Sequence, residues 1–383
     1  MKASIIITSL GFCLSAQAAF EAPLSLERGL ILSEPHTKEK PEPKLEKQES
    51  KSVPKSDRTR LNSRRSDHRS WADLQAQALR VFEFLNADQK VQAVYEFSHP
   101  SREKWRSRAA PRGLARAFLP SSPGISIMDL SPDQRLQLSR LLDQALSTQG
   151  LRVVQSAVES DRDFAEQGAR FWERWIYQYG PENFYFAFYG SPRDPQWGWK
   201  FEGHGVSINF EQNSRGETKI SPLFLGTTRG QVQLAQGLRV EPLRPLNQKI
   251  EEFLKSWSRT NGFQGGLSSQ SAPSSLAFAP GLWGGARQSS SSEGESYQSL
   301  TPASKRLIQQ ILQSYLGHLE EPLRRKELER VRRGRSSLRV VGAGLETPTS
   351  PFYLRLESGT FVFEYLNQDP QQGQIHALWL HRD

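Results

Sequence analysis

Apolar residues recur at the three- and four-residue spacing of an amphipathic helix in several parts of the chain. This spacing predicts helices over residues 71–85, 131–150, 166–179, 246–257 and 301–316. Two of them open with a hydroxyl residue followed by proline, Ser131-Pro132 and Thr301-Pro302, which is a typical helix start. Gly150 and Gly317 follow the apolar runs of these two helices and predict where each one ends.

Aromatic and β-branched residues separated by turns predict strands in two groups. The first group is expected at residues 184–189, 198–201, 206–210 and 219–225, and the second at residues 338–341, 352–356, 361–366 and 375–380. Because helices separate the groups and do not alternate with single strands, we predict an α+β fold with antiparallel sheet and flanking helices. The groups either pair into one sheet or form two lobes, residues 71–260 and 300–383, around a Ser/Gly-rich loop at 262–299.

The first 18 residues have the pattern of a secretory signal peptide. Lys2 supplies the positive charge, residues 3–14 are apolar or small, and Ala16-Gln17-Ala18 fits the site cleaved by signal peptidase. We therefore expect a secreted or periplasmic protein. Residues 19–70 are rich in charged residues, proline and serine, and we expect them to form a disordered linker ahead of an α+β domain at 71–383.

The chain is basic, with a net charge of +9 at pH 7 and a pI near 9.6. Export makes an anionic envelope component or glycan a better expected partner than nucleic acid, although the basic run at 324–339 also fits an ordinary solvated helix face. The only cysteine, Cys13, lies in the expected signal peptide, so we predict a mature chain without disulfides or a thiolate nucleophile. No apolar run is long enough to predict a transmembrane segment.

Two segments carry candidate chemistry, residues 197–205 and residues 363–383. His204 lies between two glycines in the first, and Glu364 and His376 lie on predicted strands in the second. If these strand edges meet, two imidazoles and one carboxylate form a set that suits a divalent metal such as Zn, Fe or Mn. The same set without metal would act as a general acid and base pair. The plainer alternative places His204 in solvent and leaves Glu364 and His376 with hydrogen bonds inside the sheet.

The aromatic residues Trp197 and Trp199 lie on one side of a predicted strand, because side chains alternate along it. They form either a stacking platform for a sugar ring or part of the core. The sequence thus favours two functions that it does not separate. One is a metal-assisted hydrolase or oxygenase that uses His204, Glu364 and His376. The other is a non-catalytic envelope or glycan-binding module that uses the aromatic surface.

Several motifs together resemble one known family. They run in the order Arg102…Trp105…Pro111-Arg112-Gly113, Asp129-Leu130…Gln134-Arg135, Tyr189-Gly190-Ser191-Pro192, Trp197-Gly198-Trp199…Glu202-Gly203-His204…Asn209, Phe224-Leu225-Gly226, Glu364-Tyr365 and Ile375-His376…Arg382-Asp383. This order resembles the domain of unknown function 3500 family over roughly residues 75–383. The resemblance implies an exported bacterial protein and no particular activity. It adds Glu202, Asn209 and Arg112 as candidate binding residues and Arg382 as a candidate anion contact. Gly205 stands where the family often has a second histidine.

Overall fold

The computed structural model describes residues 71–106, 110–111, 114, 122–164, 166, 177–234, 237–261, 271–278, 293–345, 347 and 349–382. The expected signal peptide, the linker, Arg112 and most of the Ser/Gly-rich loop lie outside these residues. The described elements are those of an α+β protein with a low proportion of parallel pairing, as predicted from the two groups of strands.

Seven helices are described in this part of the chain: α1 Trp71–Phe84, α2 Ala87–Ala93, α3 Pro132–Ala145, α4 Thr148–Asp163, α5 Arg244–Asn261, α6 Pro302–Leu316 and α7 Glu321–Gly334. Helix α3 begins as its sequence predicts, because Ser131 caps the backbone amide of Gln134 and the Gln134 side chain returns to the amide of Ser131. At the start of helix α6, the Thr301 hydroxyl accepts a hydrogen bond from the backbone amide of Ser304. Among the described helices, none combines the length and hydropathy that crossing a bilayer requires.

The helix predicted over residues 131–150 is in fact two helices. Helix α3 ends before Leu146, and Ser147 caps α4 through the amide of Gly150. The glycine therefore belongs to the first turn of a helix and does not end one. A Cβ at Gly150 would lie 2.1 Å from the carbonyl oxygen of His318, so the residue is small because another chain segment approaches it closely.

The described strands are β1 Val94–Tyr95, β2 Ala110–Pro111, β3 Ile125–Ser126, β4 Tyr177–Gln178, β5 Tyr185–Tyr189, β6 Trp197–Gly203, β7 Val206–Gln212, β8 Thr218–Thr227, β9 Val232–Gln233, β10 Arg239–Val240, β11 Glu295–Ser296, β12 Arg339–Gly344, β13 Phe352–Glu357, β14 Phe361–Asp369 and β15 Gln374–His381. Strand β4 occupies the end of the helix predicted over 166–179, and that end of the prediction is wrong; most of the remainder lies outside the described residues.

Eleven strands form one sheet in the order β1-β5-β6-β7-β8-β15-β14-β13-β12-β11, with β3 paired to β5. Strand β8 ends the first sequence group and pairs antiparallel with β15, the last strand of the second group. The two groups predicted from sequence are therefore joined edge to edge. Except for the short parallel pair β1 and β5, the pairings within this sheet are antiparallel.

The two faces of the sheet differ in chemistry. One face, which we call the helix face, carries large apolar side chains such as Trp199, Phe363 and Trp379 and packs against the helices. The opposite face, which we call the polar face, carries buried polar residues such as Lys200, Glu202, Asn209, Glu364 and Arg355. A smaller apolar cluster covers part of the polar face, formed mainly by Trp105, Phe224, Leu276, Phe278 and Leu378.

Candidate functional site

His204 forms an imidazole–carboxylate pair with a residue of helix α4. Its Nδ1 lies 2.5 Å from Oδ1 of Asp161. The Asp161 side chain is 1 % exposed and that of His204 is 16 % exposed. The pair therefore has a buried carboxylate and an imidazole that reaches the surface. We call these two residues the dyad.

Two glycines place His204 at the turn between β6 and β7. A Cβ at Gly203 would overlap the ring of Phe184, and Gly205 has a φ of +81°, a backbone conformation that side chains rarely adopt. Gly205 also lies close to Ala157 of helix α4. The glycine residues noticed in the sequence thus allow the turn to approach the helix that carries Asp161.

The Asp161 carboxylate is held by two donors besides His204. Its Oδ2 accepts hydrogen bonds from the Gly180 amide at 2.8 Å and from Nδ2 of Asn183 at 3.2 Å. These contacts compensate for burial of the carboxylate and fix its plane. Because a carboxylate only accepts hydrogen bonds, Nδ1 of His204 is the donor in this pair, and the tautomer that this selects has its lone pair on Nε2.

Aromatic rings flank the imidazole of His204. The centroid of Tyr179 lies 5.7 Å from that of His204, and the centroid of Phe164 lies 6.2 Å away. The rings restrict rotation of the imidazole in addition to the hydrogen bond to Asp161. Among the described residues, no side chain or backbone group occupies Nε2 of His204. The arrangement can accept a proton at Nε2 or bind a Lewis acid there.

Glu364, the predicted partner of His204, serves a different part of the molecule. Its Oε1 accepts from the Ala277 amide at 2.8 Å, its Oε2 accepts from the Phe278 amide at 2.9 Å, and the Tyr353 hydroxyl donates to Oε1. Burial raises the pKa of the Glu364 carboxyl, although the three donors oppose this change. Both oxygens are thus used to hold the segment at 271–278 against the polar face.

His376 does not converge with His204. It lies opposite Gly226 on β8, on the polar face, where its ring is 5.6 Å from that of Phe224. His204 turns instead towards α4, which packs on the helix face. Within the described part of the chain, no group of three or more His, Cys, Asp and Glu residues is placed to hold a metal ion. The three-residue set predicted from sequence is therefore not assembled in the structure.

The two tryptophans of the predicted platform lie in the core. Trp197 is 0 % exposed and Trp199 is 1 % exposed, and both pack against Phe210 on the helix face. Neither ring is available for stacking on a sugar. The sequence left open whether these tryptophans form part of the core or a stacking platform. The structure places both in the core, so the prediction of a platform is wrong.

Glu202 and Asn209 contribute to a buried network on the polar face. Glu202 accepts from the hydroxyls of Ser122 at 3.0 Å and Ser207 at 3.2 Å. The Asn209 amide donates to Ser207 and to the backbone oxygen of Pro222. Lys200, opposite Asn209 on the neighbouring strand, donates to backbone oxygens of the segment that follows α2. The network holds loops on the sheet, and the structure assigns no ligand to it.

Arg382 pairs with a carboxylate of the same sheet. Its guanidinium lies 2.6 Å from Oε1 of Glu357, and Arg355 lies 3.1 Å from the other oxygen of that carboxylate. Arg382 also lies over the ring of Phe278. The Arg382 guanidinium, which was predicted to contact an anion, therefore forms an ion pair with Glu357. Arg112, the remaining predicted binding residue, lies outside the described residues.

A family model described as a protein of unknown function, DUF3500, matches residues 67–383. The chain belongs to this family. The match covers the whole predicted folded domain, so the resemblance inferred from the motifs is confirmed. No curated protein and no solved structure matches the chain. Membership of DUF3500 assigns a family to the chain and no activity.

Sequence reasoning found the imidazole of this DUF3500 chain and missed its partner. Asp161 lies 43 residues before His204, inside a helix that was not predicted, in the ordinary helical stretch Glu159-Ser160-Asp161-Arg162. Its signal was weak, since an aspartate in a helix is usually a solvated residue. The glycines around His204 were the useful signal, because they indicated a close approach by another chain segment.

Proposed function

We propose that this protein is an enzyme in which His204 acts as a general base and acid and Asp161 orients it. The observation that supports the proposal is the geometry of the dyad. The His204 imidazole donates to a fixed, buried carboxylate through Nδ1, so its Nε2 is directed away from that carboxylate. The His204 side chain is 16 % exposed, which leaves part of the ring at the surface. This is the arrangement that hydrolases use to activate water or a hydroxyl nucleophile.

In the proposed reaction, Nε2 of His204 takes a proton from a water molecule as the water oxygen attacks the substrate. The resulting imidazolium is stabilised by the Asp161 carboxylate on the other side of the ring. The proton then passes from Nε2 to the leaving group as the scissile bond breaks, and the imidazole returns to its neutral state. Hydrolysis of an ester, amide or glycosidic bond by this route requires no further oxidant or reductant.

The proposal differs from the metal-assisted reaction suggested by the sequence in the residues that it uses. Glu364 has both oxygens engaged by donors, and His376 belongs to the other face of the sheet. The dyad is complete without either of them. A base whose position is fixed through its second nitrogen contributes about 10²- to 10⁴-fold to a rate.

The test combines an activity screen with a chemical probe of the imidazole. Purified protein is incubated with chromogenic esters, amides and glycosides. Any substrate that the wild type hydrolyses is then measured with the variants His204→Gln and Asp161→Asn. We expect each substitution to lower kcat by roughly 100-fold or more. The matched control is His376→Gln, which removes an imidazole of the polar face and should retain the activity. Full activity in His204→Gln would refute the proposal.

Diethyl pyrocarbonate provides a test that does not require a substrate, because it acylates the free nitrogen of a neutral imidazole. Mass spectrometry should find His204 modified rapidly, and more rapidly than His318, which is 3 % exposed. Asp161→Asn should change the rate at His204, since the tautomer is no longer fixed. Failure of the reagent to modify His204 would show that Nε2 is inaccessible and would count against a catalytic role.

A cavity at the opposite end of β6 supports a second candidate function, glycan binding. It has a volume of about 770 Å³ and is lined by Tyr95, Phe97, Asp194, Gln196 and neighbouring residues. Aromatic rings combined with carboxylate and amide groups suit a sugar, which presents both apolar faces and hydroxyls. This cavity replaces the tryptophan platform as the aromatic surface of the binding-module hypothesis.

Cell-wall retention separates the two candidate functions. If the cavity binds a glycan, Phe97→Ala should reduce the fraction of protein that sediments with isolated bacterial cell walls. Phe84→Ala is the control, because Phe84 is 51 % exposed and does not line the cavity. His204→Gln should leave sedimentation unchanged. Equal sedimentation of the Phe97 variant and the wild type would eliminate glycan binding at this cavity.

A further inference from the structure

A second cavity, lined by positive charge, lies where helix α6 begins and helix α7 ends. Its volume is about 410 Å³. The residues that line it are Tyr297, Gln298, Pro302, Lys305, Arg306, Gln309 and Arg335. Three of these seven side chains are cationic and none is acidic. This cavity is separate from the dyad, from the polar face and from the cavity between β1 and the loop after β5.

A buried tyrosine holds two of the cations in place. Tyr297 is 3 % exposed, and the Lys305 ammonium lies 5.7 Å and the Arg335 guanidinium 5.6 Å from its ring centroid. Its hydroxyl accepts hydrogen bonds from Arg335 at 3.3 Å and from Gln309 at 3.2 Å. Lys305 is also fixed by a 2.7 Å hydrogen bond to the backbone oxygen of Gln298. Both cations are therefore positioned before any ligand arrives, which lowers the entropic cost of binding.

The cations of the cavity have no carboxylate partner within the described residues. The ion pairs found in this region lie elsewhere on α7, where Arg324 and Arg332 pair with glutamates of their own helix. The start of α6 adds the partial positive charge of a helix N-terminus to the same place. An arginine fork, an ammonium and amide donors together match the oxygen atoms of a tetrahedral oxyanion.

We propose that this cavity binds a phosphate or sulfate group. Lys305 and Arg335 contact the anion from two sides, Gln298 and Gln309 supply neutral donors, and Arg306 adds long-range attraction. The net charge of +9 indicates affinity for anionic partners but gives it no location on the protein. The proposed site locates such affinity at defined residues. The proposal is independent of the dyad, and the ligand need not be the substrate of the enzyme.

Titration with inorganic phosphate tests the site directly. Binding is followed by NMR through the arginine side-chain signals and by the rise in melting temperature with phosphate concentration, with chloride at equal ionic strength as the reference. The double variant Lys305→Gln with Arg335→Gln should weaken phosphate binding by roughly tenfold for each cation removed. Tyr297→Phe retains the charges and removes one contact of Arg335, and should weaken binding by a smaller factor.

The matched control, Arg332→Gln with Arg333→Gln, removes two charges from the last turn of helix α7, next to the cavity but outside its lining. It has the same net charge as the double variant and should bind phosphate as the wild type does. Circular dichroism establishes that each variant is folded. Equal phosphate affinity in the double variant and the wild type would overturn the proposal, as would the absence of any phosphate-specific effect on the wild type.

A second arm distinguishes the source of the oxyanion. Flotation with phosphatidylglycerol vesicles measures binding to a lipid phosphate on a surface, whereas inorganic polyphosphate presents the same group in solution. If the lipid is the source, vesicle binding should be lost in the cavity variant and retained in the control variant. If only polyphosphate binding depends on Lys305 and Arg335, the cavity takes a soluble ligand. If the control variant lost vesicle binding or polyphosphate binding to the same extent as the cavity variant, the loss would be a general effect of net charge. That result would contradict a defined site.

Discussion

We expect the substitution Lys200→Met to change how the stability of the protein depends on pH. Lys200 is 1 % exposed on the polar face, and its ammonium donates to the backbone oxygens of Ser101 and Lys104. Burial lowers the pKa of Lys200 from its ordinary value of 10.5 to about 8, although Glu202 opposes the change. The folded protein therefore releases this proton at a lower pH than the unfolded chain does.

The sign and size of the effect follow from proton linkage. Between pH 8 and 10.5 the unfolded chain binds more protons at this lysine than the folded chain, so the free energy of unfolding rises with pH. The difference between 10.5 and about 8, at about 1.4 kcal/mol for each pKa unit, corresponds to roughly 3 kcal/mol over the whole range. About 2 kcal/mol of this should develop between pH 7 and pH 9.5.

The assay is guanidinium chloride unfolding of the wild type and Lys200→Met at both pH values. The difference in unfolding free energy between the two proteins isolates the lysine, because buried tyrosines such as Tyr315, whose pKa burial raises, titrate in both. The wild type should gain about 2 kcal/mol relative to the variant on going to pH 9.5. Lys255→Met, which removes a half-exposed ammonium, is the control and should show no such gain. A constant difference for Lys200→Met would refute the reasoning.

Two further predictions concern the core and a close approach of the backbone. Trp199→Ala should lower the free energy of unfolding by about 3–5 kcal/mol, because it empties a fully buried site; a loss below about 1 kcal/mol would contradict the core assignment. Gly124→Ala should cost more than Gly216→Ala in the same unfolding assay, although both glycines have positive φ. Only at Gly124 would the new Cβ meet backbone, 2.2 Å from the carbonyl oxygen of Phe186, so equal costs would show that the contact is not tight.

The local elements of the fold were largely predictable from sequence. The cap at Ser131 and the apolar stripe of the helix over Pro302–Leu316 are set by residues close together in the chain, and both occur as predicted. The errors arose where a distant segment decided the role of a residue. Gly150 resembled a helix stop, yet it is a glycine because the backbone at His318 lies against it.

The candidate site was only half predictable for the same reason. The glycines beside His204 marked an unusual turn, whereas Asp161 had no local pattern that separated it from other helical aspartates. Glu364 was noted as an ionisable residue on a predicted strand, but the amides of Ala277 and Phe278 that bind its carboxylate belong to a loop almost 90 residues away. No spacing rule connects such partners.

By itself, the sequence determined the family, the class of fold, the approximate positions of the eight predicted strands and those of helices α1, α5 and α6, because these depend on periodicity and on short-range capping and turn preferences. Tertiary structure alone decided that β8 pairs with β15, that Trp197 and Trp199 are core, and that His204 meets Asp161 and neither Glu364 nor His376. These outcomes depend on which faces are buried together when distant segments pack. An imidazole acquires its chemical role from the group that packing brings to its second nitrogen.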